Sequence, residues 1–335
     1  MGDVAKLAGC SQSTVSLVLN EIPNVRIAED TRRRVREAAQ EIGYRMPWAH
    51  ALPAGGMREI GFVVDRLATS PEAVVSIDGA HEAARQEDHL LLIAATLSDA
   101  EIERSTLASL LARPIDGLIY ASIMTRRIEP PQLPRHVPTV LLNCYTEDRS
   151  FPAVVPGELA GGQSATQRLV RAGHRRIAHV TGEMWMEAAQ DRLRGYRRAL
   201  ATADLPFDPD LVCEGNWEYG SGHDAARRLM GLPNPPTAIF FANDRMAVGG
   251  YALLRERGLR IPEDVSVIGY DDQAVCQELV PALTTMVLPH REMGQWAVER
   301  LLHRHDGPHA RRHPIVKLDC PLVERDSVGP PRGRG

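Results

Sequence analysis

From residue 58 onward, short apolar runs alternate with amphipathic stretches, and this alternation restricts the fold more than any other feature. Strand-sized runs fall at 60–64, 90–95, 117–121, 139–142, 177–181, 238–241 and 265–269. Helical periodicity falls between them, at 73–87, 99–112, 158–172, 187–203, 220–231, 243–257 and 290–304. Strands separated by helices pair in parallel, with the helices covering both faces of the sheet. There are more strands here than one compact sheet needs. The expected body is therefore α/β, with two similar lobes facing each other across a cleft. Ligands in such folds bind at the carboxyl ends of the strands.

The first 55 residues follow a different rule. Residues 3–8 form a short helical pattern with Val4, Leu7 and Ala8 on one side, and Gly9 supplies a left-handed stop. Ser11 is placed to cap a second helix over 12–19, in which Val15, Val18 and Leu19 repeat at helical spacing. A third helix over 29–42 turns Val35, Ala38, Ala39 and Ile42 inward and Arg32, Arg33, Arg34 and Arg36 outward. Two short helices joined by a glycine turn and crossed by a third make a helix-turn-helix. Ala5 must be small where the helices cross, and Val15 plugs the core between them. The second helix is then free to enter a DNA major groove by its N-terminal side chains. On spacing alone, a generic three-helix cap remains the other reading.

The string 3–20, DVAKLAGCSQSTVSLVLN, closely resembles the DNA-binding headpiece of the LacI/GalR family, and Asn24-Val25 and 41–45 (EIGYR) extend the match. That resemblance places Gln12, Ser13 and Leu17 where family members read base edges. Thr14, Ser16 and Asn20 fall where family members hold phosphates. Gln12 can pair bidentately with adenine, and short polar side chains suit phosphate positioning. Leu17 departs from the arginine usual there. Leucine offers only apolar contact, for example with a thymine methyl, so the operator preference at that position is expected to differ from the common family site. The competing reading is that Leu17 simply packs.

A Pro/Gly-rich stretch at 46–57 separates the headpiece (1–45) from the body (58–328), and 329–335 forms a short tail. The resemblance implies a hinge helix in this linker, with Leu52 as the side chain that wedges into the minor groove. Pro53 follows immediately and cannot donate a backbone hydrogen bond, so a flexible tether is the alternative. The chain opens unusually close to the first helix for this family, which is consistent with an upstream start.

The body resembles the type I periplasmic binding protein fold used for effector sensing in the same family. The landmarks are 115–119 (IDGLI), 173–178 (GHRRIA), 192–196 (RLRGY), 242–247 (ANDRMA) and 265–272 (VSVIGYDD). The resemblance implies a first lobe of about 58–155 and 290–312 and a second of about 157–287 and 314–328. The three crossings are expected near Val155-Pro156, Leu288-Pro289 and His313-Pro314. It further implies an effector cleft containing Ser70, Glu72, Arg192, Trp217, Asn243, Asp244, Asp271 and His290. An arginine fork and a carboxylate suit a polyol. Trp217 could stack on a ring face or serve as core. Where family members often carry two aromatics after the first strand, this chain has Glu72-Ala73. If Glu72 faces the cleft, the effector carries an amine or extra donors; if it faces water, nothing follows.

Composition is ordinary for a soluble globular protein. The 335 residues hold 39 Lys/Arg against 43 Asp/Glu, a net charge of −4. Residues 1–50 hold seven Lys/Arg and six Asp/Glu, so charge in the headpiece must act by placement. No apolar run reaches membrane-spanning length, and no secretory signal pattern opens the chain. Five cysteines without a CxxC pair read as reduced thiols of a cytoplasmic protein, and the headpiece resemblance implies one associated with the nucleoid. Enzyme readings lack a phosphate loop or a GxSxG elbow. The His-rich stretch 303–313 reads as a solvated loop rather than a metal site, and Asp271-Asp272 as diverging neighbours rather than a catalytic pair. The expectation is a transcriptional regulator of the repressor kind. It would act as a homodimer on near-palindromic operator DNA under a small sugar-like effector, with no catalytic residue, cofactor, metal or membrane partner. A transport-type binding protein and an α/β enzyme are the alternatives.

Overall fold

The computed structural model describes residues 2–19, 27–41, 57–67, 71–129, 137–303 and 312–332. Three helices open the chain: α1 (Gly2–Ala8), α2 (Gln12–Leu19) and α3 (Glu29–Glu41). They close on a small core of Val4, Ala5, Ala8, Val15, Val18, Val35, Ala38 and Ala39. Leu7 is not part of it and stands 49% exposed, contrary to the helical pattern read from the sequence. The arcs holding Val4/Leu7/Ala8 and Val4/Ala5/Ala8 are equally wide at 3.6 residues per turn, so pattern alone could not choose. Packing against α2 and α3 selects the arc with the smaller side chain. Ile42 lies outside the described residues.

The first lobe is built on β1 (Arg58–Val64), α4 (Pro71–Gln86), β2 (His89–Ala95), α5 (Ala100–Leu111), β3 (Ile115–Ile128), β4 (Thr139–Thr146) and β5 (Ala153–Pro156). The chain then enters the second lobe. This holds α6 (Glu158–Arg171), β6 (Ile177–Thr181), α7 (Glu187–Thr202), β7 (Val212–Glu214), α8 (Tyr219–Leu229), β8 (Ala238–Phe241), α9 (Asp244–Glu256), β9 (Ser266–Ile268), α10 (Val275–Glu278) and β10 (Thr285–Met286). It returns through α11 (His290–Leu302) and β11 (Ile315–Leu318), and β12 (Leu322–Val323) pairs antiparallel with β10.

Both main sheets are parallel, with strand orders β11-β5-β4-β3-β1-β2 and β7-β6-β8-β9. Each is covered on both faces, as crossover connections require. In the first lobe α4 and α11 pack on one face and α5 on the other. In the second, α8 and α9 cover one face and α6 and α7 the other. The third crossing differs from the expectation at His313-Pro314. Ile315–Leu318 pairs in parallel with Ala153–Pro156, so this segment belongs to the first sheet and the chain crosses after Leu318. Pro314 precedes the strand, a position where its missing N–H costs no ladder bond. Among the described residues no helix is long and apolar enough to cross a membrane.

Candidate DNA-reading helix and effector pocket

In the headpiece the turn forms as its residues require. Gly9 has φ +61°, and the Cys10 N–H donates to the Ala5 carbonyl at 3.1 Å, closing the end of α1. Ser11 caps α2 by accepting from the Thr14 N–H at 3.1 Å. Its hydroxyl also lies 2.7 Å from that of Ser13 and 2.8 Å from that of Thr14. Gln12 and Ser13 are exposed at the leading end of α2, and Thr14, Ser16 and Leu17 are half-buried. Leu17 does not join the headpiece core, whereas Leu19 packs against it. On α3, Arg33 pairs with Asp30 at 2.5 Å and Arg34 lies 3.7 Å from the same carboxylate, so part of the basic face is neutralised locally. Asn20 and Leu52 lie outside the described residues.

A cavity of about 280 Å³ opens between the lobes at the carboxyl ends of the strands. The first lobe contributes Thr125 and Asn143, whose side chains bond to each other at 2.6 Å. Arg192, Trp217, Asn243 and Asp271 line it from the second lobe, and His290 lines it at the start of α11. Five of the eight side chains expected from the sequence therefore meet in one place. Ser70 lies outside the described residues, and Glu72 is in α4 with its side chain undescribed.

Asp244 does not line the cavity. It is fully buried, accepting from the Thr285 hydroxyl at 2.6 Å and the Gln273 N–H at 2.9 Å, while its own N–H donates to the Tyr270 carbonyl. Burial pushes its carboxyl up to about 6, against the pull of these donors. Its role is to hold the loop that carries Asp271, which adopts φ +112°. Asn243 has a similar supporting part. It caps α9 by accepting from the Met246 N–H at 2.9 Å and donates to the Trp217 carbonyl at 2.9 Å. Trp217 itself has φ +69°. Its ring lies over Gly182, where a Cβ would come within 1.9 Å, and it also packs on the second-lobe core.

Arg192 is only 3% exposed. Glu158, a residue that the sequence reading passed over, grips it as a fork, with Nε donating at 2.7 Å and Nη2 at 2.9 Å. Nη1 donates to the Ala242 carbonyl, and the guanidinium stacks 3.7 Å from the Tyr270 ring centre. The nearby carboxylates hold it charged despite burial. Glu158 was legible only as a helix-start acid after β5, which is an ordinary position for a carboxylate. Arg245 and Glu218, also in the lining and paired at 2.8 Å, were likewise missed.

A groove-ready helix and a polar interlobe cavity in one chain define a ligand-responsive DNA-binding regulator. Comparison with known proteins agrees: residues 1–46 match the family of bacterial regulatory proteins, lacI family, and residues 166–328 match a periplasmic binding protein-like domain. The chain is 35% identical to the HTH-type transcriptional repressor PurR of Vibrio cholerae, over 97% of both chains. It is 33% identical to the ribose operon repressor of Escherichia coli K12, over 98% of this chain and 99% of that one. Among solved structures, the lac repressor dimer bound to operator and the anti-inducer ONPF superposes with a TM-score of 0.67, at 26% identity over 98% of both chains. The complex of the transcriptional regulator CelR with cellobiose gives 0.64 at 29% identity, covering 97% of this chain and 98% of that one. The chain belongs to the LacI family of bacterial regulatory proteins.

Proposed function

We propose that this protein is a transcriptional repressor. In this reading it binds operator DNA as a homodimer through α2, and a small polar, sugar-like effector in the interlobe cavity sets its operator affinity. The observation that carries the reading is the union, in one chain, of an exposed recognition-helix end at Gln12 and Ser13 with a polar cavity between two lobes. Named relatives matched end to end are repressors, which favours a regulator over an enzyme or a transport protein. Such a protein acts where the DNA is, in the cytoplasm.

In this mechanism Gln12, Ser13 and Leu17 read bases, and Thr14 and Ser16 position phosphates. Arg192, Trp217, Asn243, Asp271 and His290 surround the effector. Closing the lobes on it moves β1, which begins directly after the linker, and so changes the spacing of the two headpieces. The coupling is the effector's differential affinity for two lobe arrangements. Two-fold symmetry of the protein imposes a near-palindromic site on the DNA. Selection by the full chain from a random duplex library tests this: a near-palindromic sequence should emerge, and recovery of unenriched DNA contradicts the proposal.

A further inference from the structure

The cavity is more acidic than its two arginines suggest. Arg192 is forked by Glu158, and Arg245 is paired with Glu218. Asp271 shares Arg192 with Glu158, standing 3.8 Å from Nη1. Three carboxylates therefore answer two guanidiniums across one cavity. The adjoining groove is lined by Arg126, Arg127, Arg194 and Glu187. Its arginines are paired with carboxylates outside that lining, Arg126 with Asp65 at 3.1 Å, Arg127 with Glu147 at 2.9 Å, and Arg194 with Asp191. Glu187 adds another carboxylate, accepting from the Tyr145 hydroxyl at 3.0 Å.

A ligand in the interlobe cavity meets guanidiniums already paired and one carboxylate more than there are arginines in its lining. An anion would have to break a buried fork or lie beside carboxylates whose arginines are already paired, and either is a cost built against it. A cation adds the missing positive charge without breaking any pair. Resting on the reading of this cavity as the effector site, we propose that Glu158 determines its specificity. By saturating Arg192, Glu158 turns the site's arginine from an anion receptor into scaffold. The effector is then a cationic, amine-bearing molecule of sugar size, its ammonium lodged among Glu158, Glu218 and Asp271.

Calorimetry on the full chain tests this with three matched series: glucose, galactose and mannose, each as the 2-amino sugar, the parent hexose and the 6-phosphate. At pH 7 the ammonium of a 2-amino sugar is largely charged, while an ordinary imidazole, with a pKa of about 6.5, is largely neutral. An amino sugar should bind at least about tenfold more tightly than its neutral parent, and the phosphates should be weakest. Glu158→Gln should reverse the order by releasing Arg192 to the phosphate. Because that variant leaves a buried cation and could fail to fold, Glu218→Gln in the exposed pair provides a second reading. It should reduce the amine preference roughly threefold. A parent hexose or phosphate that binds as tightly as the amine, with binding lost in Trp217→Ala, overturns the charge proposal and leaves the effector reading intact. Silence across the panel, or binding unchanged in Trp217→Ala, overturns the effector reading and this proposal with it.

Discussion

Leu17 sits on α2 two turns from the cap, half-buried yet outside the headpiece core. A residue so placed is not needed to hold the helices together, which fits the base-reading role proposed for it. Leu17→Arg should fold normally and shift the selected operator toward guanine at one position in each half-site. Its discrimination there should be about 1–3 kcal/mol. Sequencing of DNA selected by both proteins measures this, and identical logos would show that residue 17 does not read bases. At the same scale, His179 illustrates what the sequence could not convey. It is fully buried, its ring stacked 4.4 Å from Phe240 and its Nδ1 3.0 Å from the Phe240 carbonyl, and Nε2 finds no hydrogen-bond partner among the described residues. Burial lowers its protonation from 6.5 to about 4. The neutral form is favoured in the folded state, so this stability is complete above pH 6.5 and is lost as pH falls toward 4. Denaturant unfolding should show a loss on the order of 3 kcal/mol from this group across that window. His179→Phe should flatten the profile, and an unchanged slope would assign the loss to other groups.

The elements themselves were legible where periodicity was strong. Strands at 177–181 and 238–241 and seven of the eight body helices were anticipated to within a residue or two, the four-residue α10 being the one missed. The missed strands, β5, β7, β11 and the β10–β12 pair, have two to four residues each, too short for alternation to register. The sequence was also silent on why glycines sit inside helices where propensity disfavours them. The reason is backbone contact between paired helices. In α4 and α11, a Cβ on Gly79 would lie 2.1 Å from the Arg291 carbonyl oxygen, and one on Gly294 2.0 Å from that of Ser76. The α6/α7 pair does the same with Gly162 and Gly195, and α8/α9 with Gly222 and Gly249. A small residue on each partner lets the helices touch and fixes how they cover the sheet. Gly294→Ala should cost about 1–3 kcal/mol despite the better helix propensity of alanine. Thermal unfolding checks the sign: a stabilised variant would mean that the α4–α11 contact yields freely.

At the scale of the whole molecule, the two-lobe body was readable from the count of strands, and its cleft from where strand ends meet. The cavity's electrostatics were not, because Arg192 and Asp244 look alike in sequence as polar residues at helix starts. Only packing separates Arg192, which lines the cavity beneath Glu158, from Asp244, which is sealed below it. The first sheet also ends on β2, an edge strand with Leu90 and Ile93 about half exposed, beside Val74 and Val75 of α4. Apolar side chains on an open edge call for a cover, which a second copy of the chain supplies in the homodimer proposed above. Ile93→Glu should shift the protein to monomer in sedimentation and lower operator affinity at least about tenfold, since one headpiece reads only half a site. A dimer that survives this substitution would place the interface elsewhere. In the proposed mechanism the cleft controls the headpiece. The most direct measurement is fluorescence anisotropy of the full chain on its selected operator, with and without the ligand found by calorimetry. Coupling of the usual size predicts a change in operator affinity of about 5- to 150-fold, abolished in Trp217→Ala. Operator affinity that is indifferent to saturating ligand would contradict it.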